Sequence, residues 1–361
     1  MAPNLAGRLP FVAVPAGLAA GFIVLFAAIG KKEEPGVKPA GTADARKLET
    51  GVGSIPVEKH RNILTVFDYI NDTVIQKTKD HVFPAKVVVE TTARVLNRNS
   101  SICDDPFLES YCTDLLQQYG QIDNFYIADS AGSRLMASRL GTVIETDIID
   151  RRGEEPLYLK KRGGRLFSRK TEKELIASHG TGAVYDPRVR PWYKKAARER
   201  KLCWSDVYIF ATGSGDQQPG FTVAAPTFGE DGKLLFVTAA DFVVANISGF
   251  LRDLKVGVRG IAFLMNEKEE LIGYPDAARV VTMQGGTAVL AKAEAVLPPW
   301  AKPALGIFRK DGERVFFFDQ DGERYVASFA PFLPASGNNW RIVVLVPEED
   351  FFNINMGGKK G

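Results

Sequence analysis

From Val57 onward, apolar positions recur at three- and four-residue steps: Ile63, Val66, Phe67, Ile70, Val74 and Ile75. After His81 and Pro84 the run resumes with Val87, Val88, Thr91, Val95 and Leu96. That period predicts one amphipathic helix of about 40 residues over 57–99, bent near Pro84. One small sheet cannot cover such a length. From Asn124 the period shifts towards two. Asn124 to Ser138 reads as a strand, a polar turn and a second strand. Residues 260–275 repeat the shape, with Phe125-Tyr126-Ile127 matching Ala262-Phe263-Leu264 and Leu135-Met136 matching Leu271-Ile272. Further strands are expected at 219–228 and 233–241 in the first unit, and at 314–319, 323–332 and 340–347 in the second. Asp-Gly pairs at 231, 311 and 321 are hairpin signals. A helix over 246–254, with Ile247, Phe250, Leu251 and Leu254 as its apolar stripe, links the two units. The pattern is thus an α+β chain: a long helix, then a duplicated unit built on antiparallel sheet. The stretch 150–180 is charged and glycine-bearing without a strand pattern. It is expected to be a long loop, either folded over a ligand or a variable surface insertion.

The N-terminal region has a different character. Pro10 to Gly30 is 21 positions without a charge, enough to span a hydrocarbon core of about 30 Å. It reads as a transmembrane helix or signal anchor, with a cleaved signal peptide ending near Ala27-Ala28-Ile29-Gly30 as the competing reading. Arg8 precedes the segment and Lys31 and Lys32 follow it, so flanking charge sets no orientation. Residues 1–9 form a short tail, and 31–56, rich in Gly, Pro, Lys, Glu, Thr and Ala, form a linker.

Composition narrows the function classes. The 361 residues carry 46 Lys and Arg against 43 Asp and Glu. The cations are scattered among as many acids, which argues against a nucleic-acid partner. No Gly-x-Ser-x-Gly elbow, phosphate-binding Gly-rich loop or His-Glu-x-x-His stretch occurs, so no enzyme activity is expected. The three histidines are scattered, so neither a metal site nor a cofactor is expected. Cys103 and Cys112 bracket eight residues, and outside the cytoplasm a disulfide between them is chemically allowed.

Candidate chemistry concentrates in Tyr185-Asp-Pro-Arg-Val-Arg-Pro-Trp-Tyr193. Pro187 and Pro191 fix their own φ and bias Asp186 and Arg190 towards extended backbone. A short helix of good helix formers is expected over 194–200. Tyr185, Arg190, Trp192 and Tyr193 thus stand on a stiff entry to a helix. Arginine offers a planar fork of donors to a carboxylate, and the aromatics offer apolar walls with polar tips. Downstream, Tyr208 adds a further hydroxyl, and Asp241 a carboxylate able to accept from an ammonium group.

The same segment resembles the double Cache extracellular sensor domains of bacterial receptors. The likeness rests on Asp186 to Tyr193, on Trp204-x-Asp206-Val207-Tyr208, on Val223 to Pro226, on the Asp231-Gly232 turn and on Ala240-Asp241. It covers roughly residues 55–350. The resemblance implies two tandem PAS-like lobes behind a stalk helix at 57–99. The membrane-distal, ligand-binding lobe would span 100–254 with the linking helix, and the membrane-proximal lobe 255–347, with 348–361 as a tail. In amino-acid-binding members a tyrosine, an arginine, a tryptophan, two further tyrosines and two aspartates contact the ligand. Tyr185, Arg190, Trp192, Tyr193, Tyr208 and Asp241 match; Phe210 stands where the other aspartate is expected. This points to a carboxylate-bearing or amino-acid-like ligand with half of the amine clamp gone.

The expectation is therefore a single-pass inner-membrane sensor with its ligand-binding region in the periplasm or outside the cell, serving signal transduction or chemotaxis. Its partners would be a small molecule, the membrane and a second copy through the long helix. The chain stops soon after residue 354 without a second span or signalling module. A truncated input domain of a chemoreceptor, histidine kinase or nucleotide cyclase, a stand-alone sensor, and a dimerisation module with a vestigial pocket remain the alternatives.

Overall fold

A computed structural model describes residues 57–96, 100–179, 184–211, 218–284, 287–332 and 338–353. The expected membrane segment at 10–30, the linker and the end of the tail lie outside these residues. Among the described residues no helix is long and apolar enough to cross a membrane.

Helix α1, Val57–Val95, runs for 39 residues with Pro84 inside it. Ile63, Phe67, Val74, Val82, Ala85, Val88, Val89 and Ala93 are its buried stripe, on the expected spacing. Helix α2, Pro106–Gln118, begins with Asp105 accepting from the Phe107 amide and with proline at the first turn, two ordinary start signals. The strands that follow are β1 Asn124–Asp129, β2 Arg134–Leu140, β3 Val143–Asp150, β4 Leu157–Arg162 and β5 Arg165–Thr171. Then come helices α3 (Glu172–His179) and α4 (Pro191–Glu199), and strands β6 Cys203–Trp204, β7 Tyr208–Ile209, β8 Pro219–Phe228 and β9 Leu234–Val243. Helix α5, Val244–Asp253, leads to β10 Ile261–Met265, β11 Leu271–Gly273, β12 Val281–Gln284 and β13 Thr287–Leu290. Helices α6 (Ala293–Val296) and α7 (Lys302–Asp311), strands β14 Val315–Gln320, β15 Glu323–Phe332 and β16 Trp340–Pro347, and helix α8 (Asp350–Asn353) complete the order.

The strands form two antiparallel sheets and a small β12–β13 pair. The larger runs β5-β4-β3-β2-β1-β9-β8-β6, with β7 also on β8; the smaller runs β11-β10-β16-β15-β14. In each, the first strand of the unit lies between its hairpin partner and the unit's last strand, so the duplication seen in the sequence is one of topology. Alternation divides the larger sheet. Phe125, Ile127, Leu135, Ala137, Phe221 and Val223 join the core against α1 and α2. Tyr126, Ala128, Ala224, Val237 and Ala239 face the other way, towards Trp192 and Tyr193. Helix α1 serves both sheets. The Thr227 hydroxyl of β8 donates to the Ala93 carbonyl at 2.6 Å, and near the other end Phe67 meets Phe351 edge-on at 6.2 Å.

Three expectations need correction. The stretch 150–180 is not a loop: β4 and β5 form a hairpin that extends the larger sheet, followed by α3. Gly163 and Gly164 both have positive φ (55° and 74°), as a two-residue hairpin turn demands. The strands escaped notice because they form an edge with much of both faces in water, so no apolar alternation marks them. The Asp-Gly pair at 311 is not a hairpin turn either. Gly312 ends α7 in the left-handed region at φ 65°, its amide donating to the Phe308 carbonyl. By contrast Asp321-Gly322 is a two-residue turn between β14 and β15 (φ 54° and 81°). Finally, Cys103 and Cys112 form no disulfide. Both are free and buried; Cys112 sits within α2, and the Cys103 sulfur points at the Ile149 carbonyl. Burial pushes the Cys103 thiol up to about 12 and raises Cys112 also, so neither is reactive near neutrality.

One contact between α1 and α5 gives a pH test. His81 stacks on Phe250 with centroids 4.1 Å apart, and burial lowers its pKa to about 4. The unfolded chain, with a histidine pKa near ~6.5, takes up this proton first as pH falls. The stability that neutral His81 contributes is whole above about 6.5 and is lost progressively towards about 4. His81→Phe should therefore gain melting temperature relative to the parent as pH drops through that window. A constant difference between the two proteins across it would contradict the assignment.

Candidate ligand pocket

The segment from Tyr185 is held in place before any ligand arrives. Asp186 caps the 3-10 turn Pro187–Val189 by accepting from the Arg188 amide at 2.9 Å, and its carboxylate also holds the Arg188 guanidinium at 2.7 Å. Arg188 is exposed, and its guanidinium is paired with Asp186. Arg151 donates to the Tyr185 carbonyl at 3.0 Å and to Gly132 at 3.2 Å, pinning the start of the segment to the β1–β2 turn. Arg190 then precedes α4, with Pro191 at its first position.

Arg190 projects between aromatic rings. Its guanidinium carbon lies 5.9 Å from the Tyr185 ring centroid and 5.4 Å from that of Tyr208. One nitrogen donates to the Ile209 carbonyl at 2.8 Å. Among the described residues it has no carboxylate partner. Trp192 is 1% exposed and packs edge-on against Tyr126 at 4.7 Å and Tyr193 at 5.4 Å. The Tyr193 hydroxyl donates to the Asp129 carbonyl at 3.0 Å, and burial pushes its pKa up to about 12. Trp192 and Tyr193 thus fasten α4 to β1, while Tyr185, Arg190 and Tyr208 stand together above.

Asp241 lies on the sheet face beneath. Its Oδ1 accepts from the Tyr126 hydroxyl at 2.7 Å and the Thr222 hydroxyl at 2.6 Å, and its Oδ2 from the Asn124 amide at 3.0 Å. Thr222 in turn accepts from the Tyr208 hydroxyl at 2.8 Å, the direction fixed because its one proton goes to Asp241. Burial raises Asp241 to about 6, against the downward pull of those three donors. Burial, then the Asp241 charge, raises Tyr208 and Tyr126, so both remain neutral donors.

Pairing explains the convergence. Asn124 and Thr222 both sit opposite Asp241 across the central strands, and Tyr126 is two residues along the same face as Asn124. Sequence reading missed Asn124, Tyr126 and Thr222. In the sequence Tyr126 is one residue of a strand, and only the order β1-β9-β8 brings the three together. Phe210 is buried, stacks edge-on against Tyr208 at 5.1 Å and lies over Gly220. A Cβ on Gly220 would stand 2.2 Å from that ring, so the glycine accommodates the phenylalanine. Trp204 and Tyr208 lie on two separate short strands, and Asp206 between them is exposed.

A groove of about 960 Å³ lies elsewhere, lined by residues of α2 and the β3–β5 region including Glu109, Thr146 and Lys161. Two of its polar groups are already joined to Glu109, Lys161 at 2.5 Å and Thr146 at 2.9 Å. Among the described residues no cluster of three or more His, Cys, Asp or Glu could hold a metal.

Paired antiparallel sheets of like strand order behind a long helix, with an aromatic and arginine-lined site on one sheet, define a Cache/PAS type of ligand-binding fold. Residues 107–353 match the model of the Cache domain, and the chain belongs to that family. It is 29% identical over 168 residues (46% of this chain) to methyl-accepting chemotaxis protein PscA of Pseudomonas syringae pv. tomato. It is 24% identical over 167 residues (46% of this chain) to methyl-accepting chemotaxis protein PctB of Pseudomonas aeruginosa. The chain spans 23% of the length of each of these relatives. The ligand-binding domain of the Campylobacter jejuni chemoreceptor Tlp3, solved with L-valine, superposes with a TM-score of 0.51 at 11% identity. The match covers 83% of this chain and 100% of that domain, and shares its fold.

Proposed function

We propose that the chain is the extracytoplasmic sensor portion of a membrane-anchored receptor and binds a small carboxylate-bearing molecule, amino-acid-like in form. The observation that carries this reading is Arg190. It is a guanidinium between two tyrosine rings, without a carboxylate of its own among the described residues, above a buried acceptor. A ligand carboxylate takes the fork of Arg190, Tyr185 and Tyr208 wall it, and Trp192 and Tyr193 keep the helix that presents Arg190 in register. Asp241 accepts one donor from the ligand, but with Phe210 in place of a second carboxylate it does so alone. Methyl-accepting chemotaxis proteins among the relatives and the L-valine-bound structural neighbour agree with this reading. The residues 10–30 anchor the chain in the inner membrane, and α1 pairs with a second copy.

A change in the pocket has a route to the second sheet. Lys195 of α4 donates to the Trp204 carbonyl at 2.6 Å and to Asn338, beside β16, at 2.8 Å. Ligand binding can shift that link only so far as it favours one position over another.

The test uses pH. Below about 6 Asp241 takes a proton and loses its attraction for an ammonium group. Isothermal titration should show L-alanine binding weaken as pH falls through 6, while propionate, lacking the ammonium, shows little change over the same range. Parallel profiles for the two compounds would remove Asp241 as the amine acceptor.

A further inference from the structure

The sheet face that carries Tyr126 and Asp241 also carries a second arginine. Arg134 opens β2 opposite Ala128, and Asp147 of β3 stands opposite Met136, which itself pairs with Tyr126. All of these residues share one face of the sheet. Arg134 is 5% exposed, and its guanidinium carbon lies 4.3 Å from the centroid of the Tyr185 ring. Arg190 approaches the same ring. One tyrosine is therefore flanked by two guanidiniums. Nη2 of Arg134 donates to Asp147 at 2.8 Å, but its buried Nε has no partner. A buried donor without an acceptor is costly, and a ligand acceptor would relieve it.

Asp147 has a substitute cation at hand. Lys160 sits opposite it on β4, with its ammonium 4.0 Å from Oδ2 and about half exposed. If Arg134 turns its fork to a ligand, Lys160 can hold Asp147. Charge favours this. Arg190, Arg134 and Lys160 then face Asp147 and Asp241, which leaves the site one positive charge in excess. A molecule with two carboxylates and one ammonium cancels that excess; a neutral zwitterion does not.

We propose that Arg134 is a ligand-contacting residue and that the pocket selects a short molecule with two carboxylates, one on Arg190 and the other on Arg134. This rests on the carboxylate-sensor reading above and narrows its ligand class. The two carboxylates could belong to an acidic amino acid or to a simple dicarboxylate, and the probes separate them.

The experiment is isothermal titration of the 361-residue chain in detergent with L-glutamate, L-aspartate, glutarate, succinate and L-alanine. At least one two-carboxylate probe should bind about tenfold or more tighter than L-alanine, the size of one added charged hydrogen bond. Glutamate over glutarate would assign the ammonium to Asp241; the reverse would assign a plain dicarboxylate. Arg134→Gln should bring the better two-carboxylate probe down to about the L-alanine level, a loss at least several-fold larger than any change in L-alanine binding itself. Lys160→Met, at a half-exposed position, should weaken the two-carboxylate probes more than L-alanine. If Arg134→Gln does not fold, Arg134→Lys retains a cation for Asp147 without the fork, and should show the same selective loss in smaller measure. L-alanine binding as tightly as glutamate, or a ratio untouched by the Arg134 variants, would reduce Arg134 to a partner of Asp147 and overturn the inference while the sensor reading stands. Binding by none of the five would overturn both.

Discussion

Arg190→Ala lowers affinity for a carboxylate ligand by about 30-fold or more, the measurable side of losing one partner of a buried, hydrogen-bonded charge pair worth about 2–5 kcal/mol. The fold should survive. Among the described residues the Arg190 side chain makes one hydrogen bond, to the Ile209 carbonyl, and the net loss there is about 1 kcal/mol. Arg190→Lys should recover part of the affinity, because it restores the charge but not the paired donors. Titration calorimetry on the three proteins checks this, with melting curves to confirm that each is folded. Equal affinity in Arg190→Ala would take the anion contact away from Arg190.

Trp192→Ala acts at a different point and costs stability first. The indole is 1% exposed and packed against Tyr126 and Tyr193. Removing a buried aromatic of that size typically loses about 3–5 kcal/mol. Chemical denaturation should show that loss without ligand present, and Trp192→Phe should show much less. A variant with normal stability but weakened binding would instead make Trp192 a direct ligand contact, as its place in the motif first suggested. The two substitutions therefore separate the residue that meets the ligand from the residue that holds the helix.

The sequence carried these two roles unequally. Arg190, Trp192 and Tyr193 are contiguous, and two prolines mark them, so their neighbourhood was legible. Their division of labour was not, because burial depends on how α4 settles on the sheet. Asp241 was legible as a carboxylate at a strand end. The donors that surround it come from β1 and β8, more than a hundred and nearly twenty residues away in the chain, and only strand order brings them there. Arg134 was hidden for the same reason. It stands at the start of a strand after a polar turn, and its burial follows from Asp147 of β3 and the Tyr185 segment packing on it. The β4–β5 hairpin was missed despite its Gly-Gly turn, because an edge hairpin lacks the apolar alternation that betrays central strands. Helix α1 and the duplicated sheets were legible because their buried positions recur with the period of the element itself. Spacing along the chain left a Cys103–Cys112 bond open because it does not fix where two sulfurs point; in the structure both are free.

The central claim is a carboxylate site built on Arg190, and a thermal-shift screen tests it most directly. The purified protein is melted alone and with amino acids, organic acids, amines and purines, each well above its dissociation constant. A ligand at ~100-fold excess over that constant adds about 2.7 kcal/mol, a clear rise in melting temperature. The account predicts shifts among the carboxylates, absent in Arg190→Ala. Shifts confined to amines or purines, or carboxylate shifts that persist in Arg190→Ala, would contradict it.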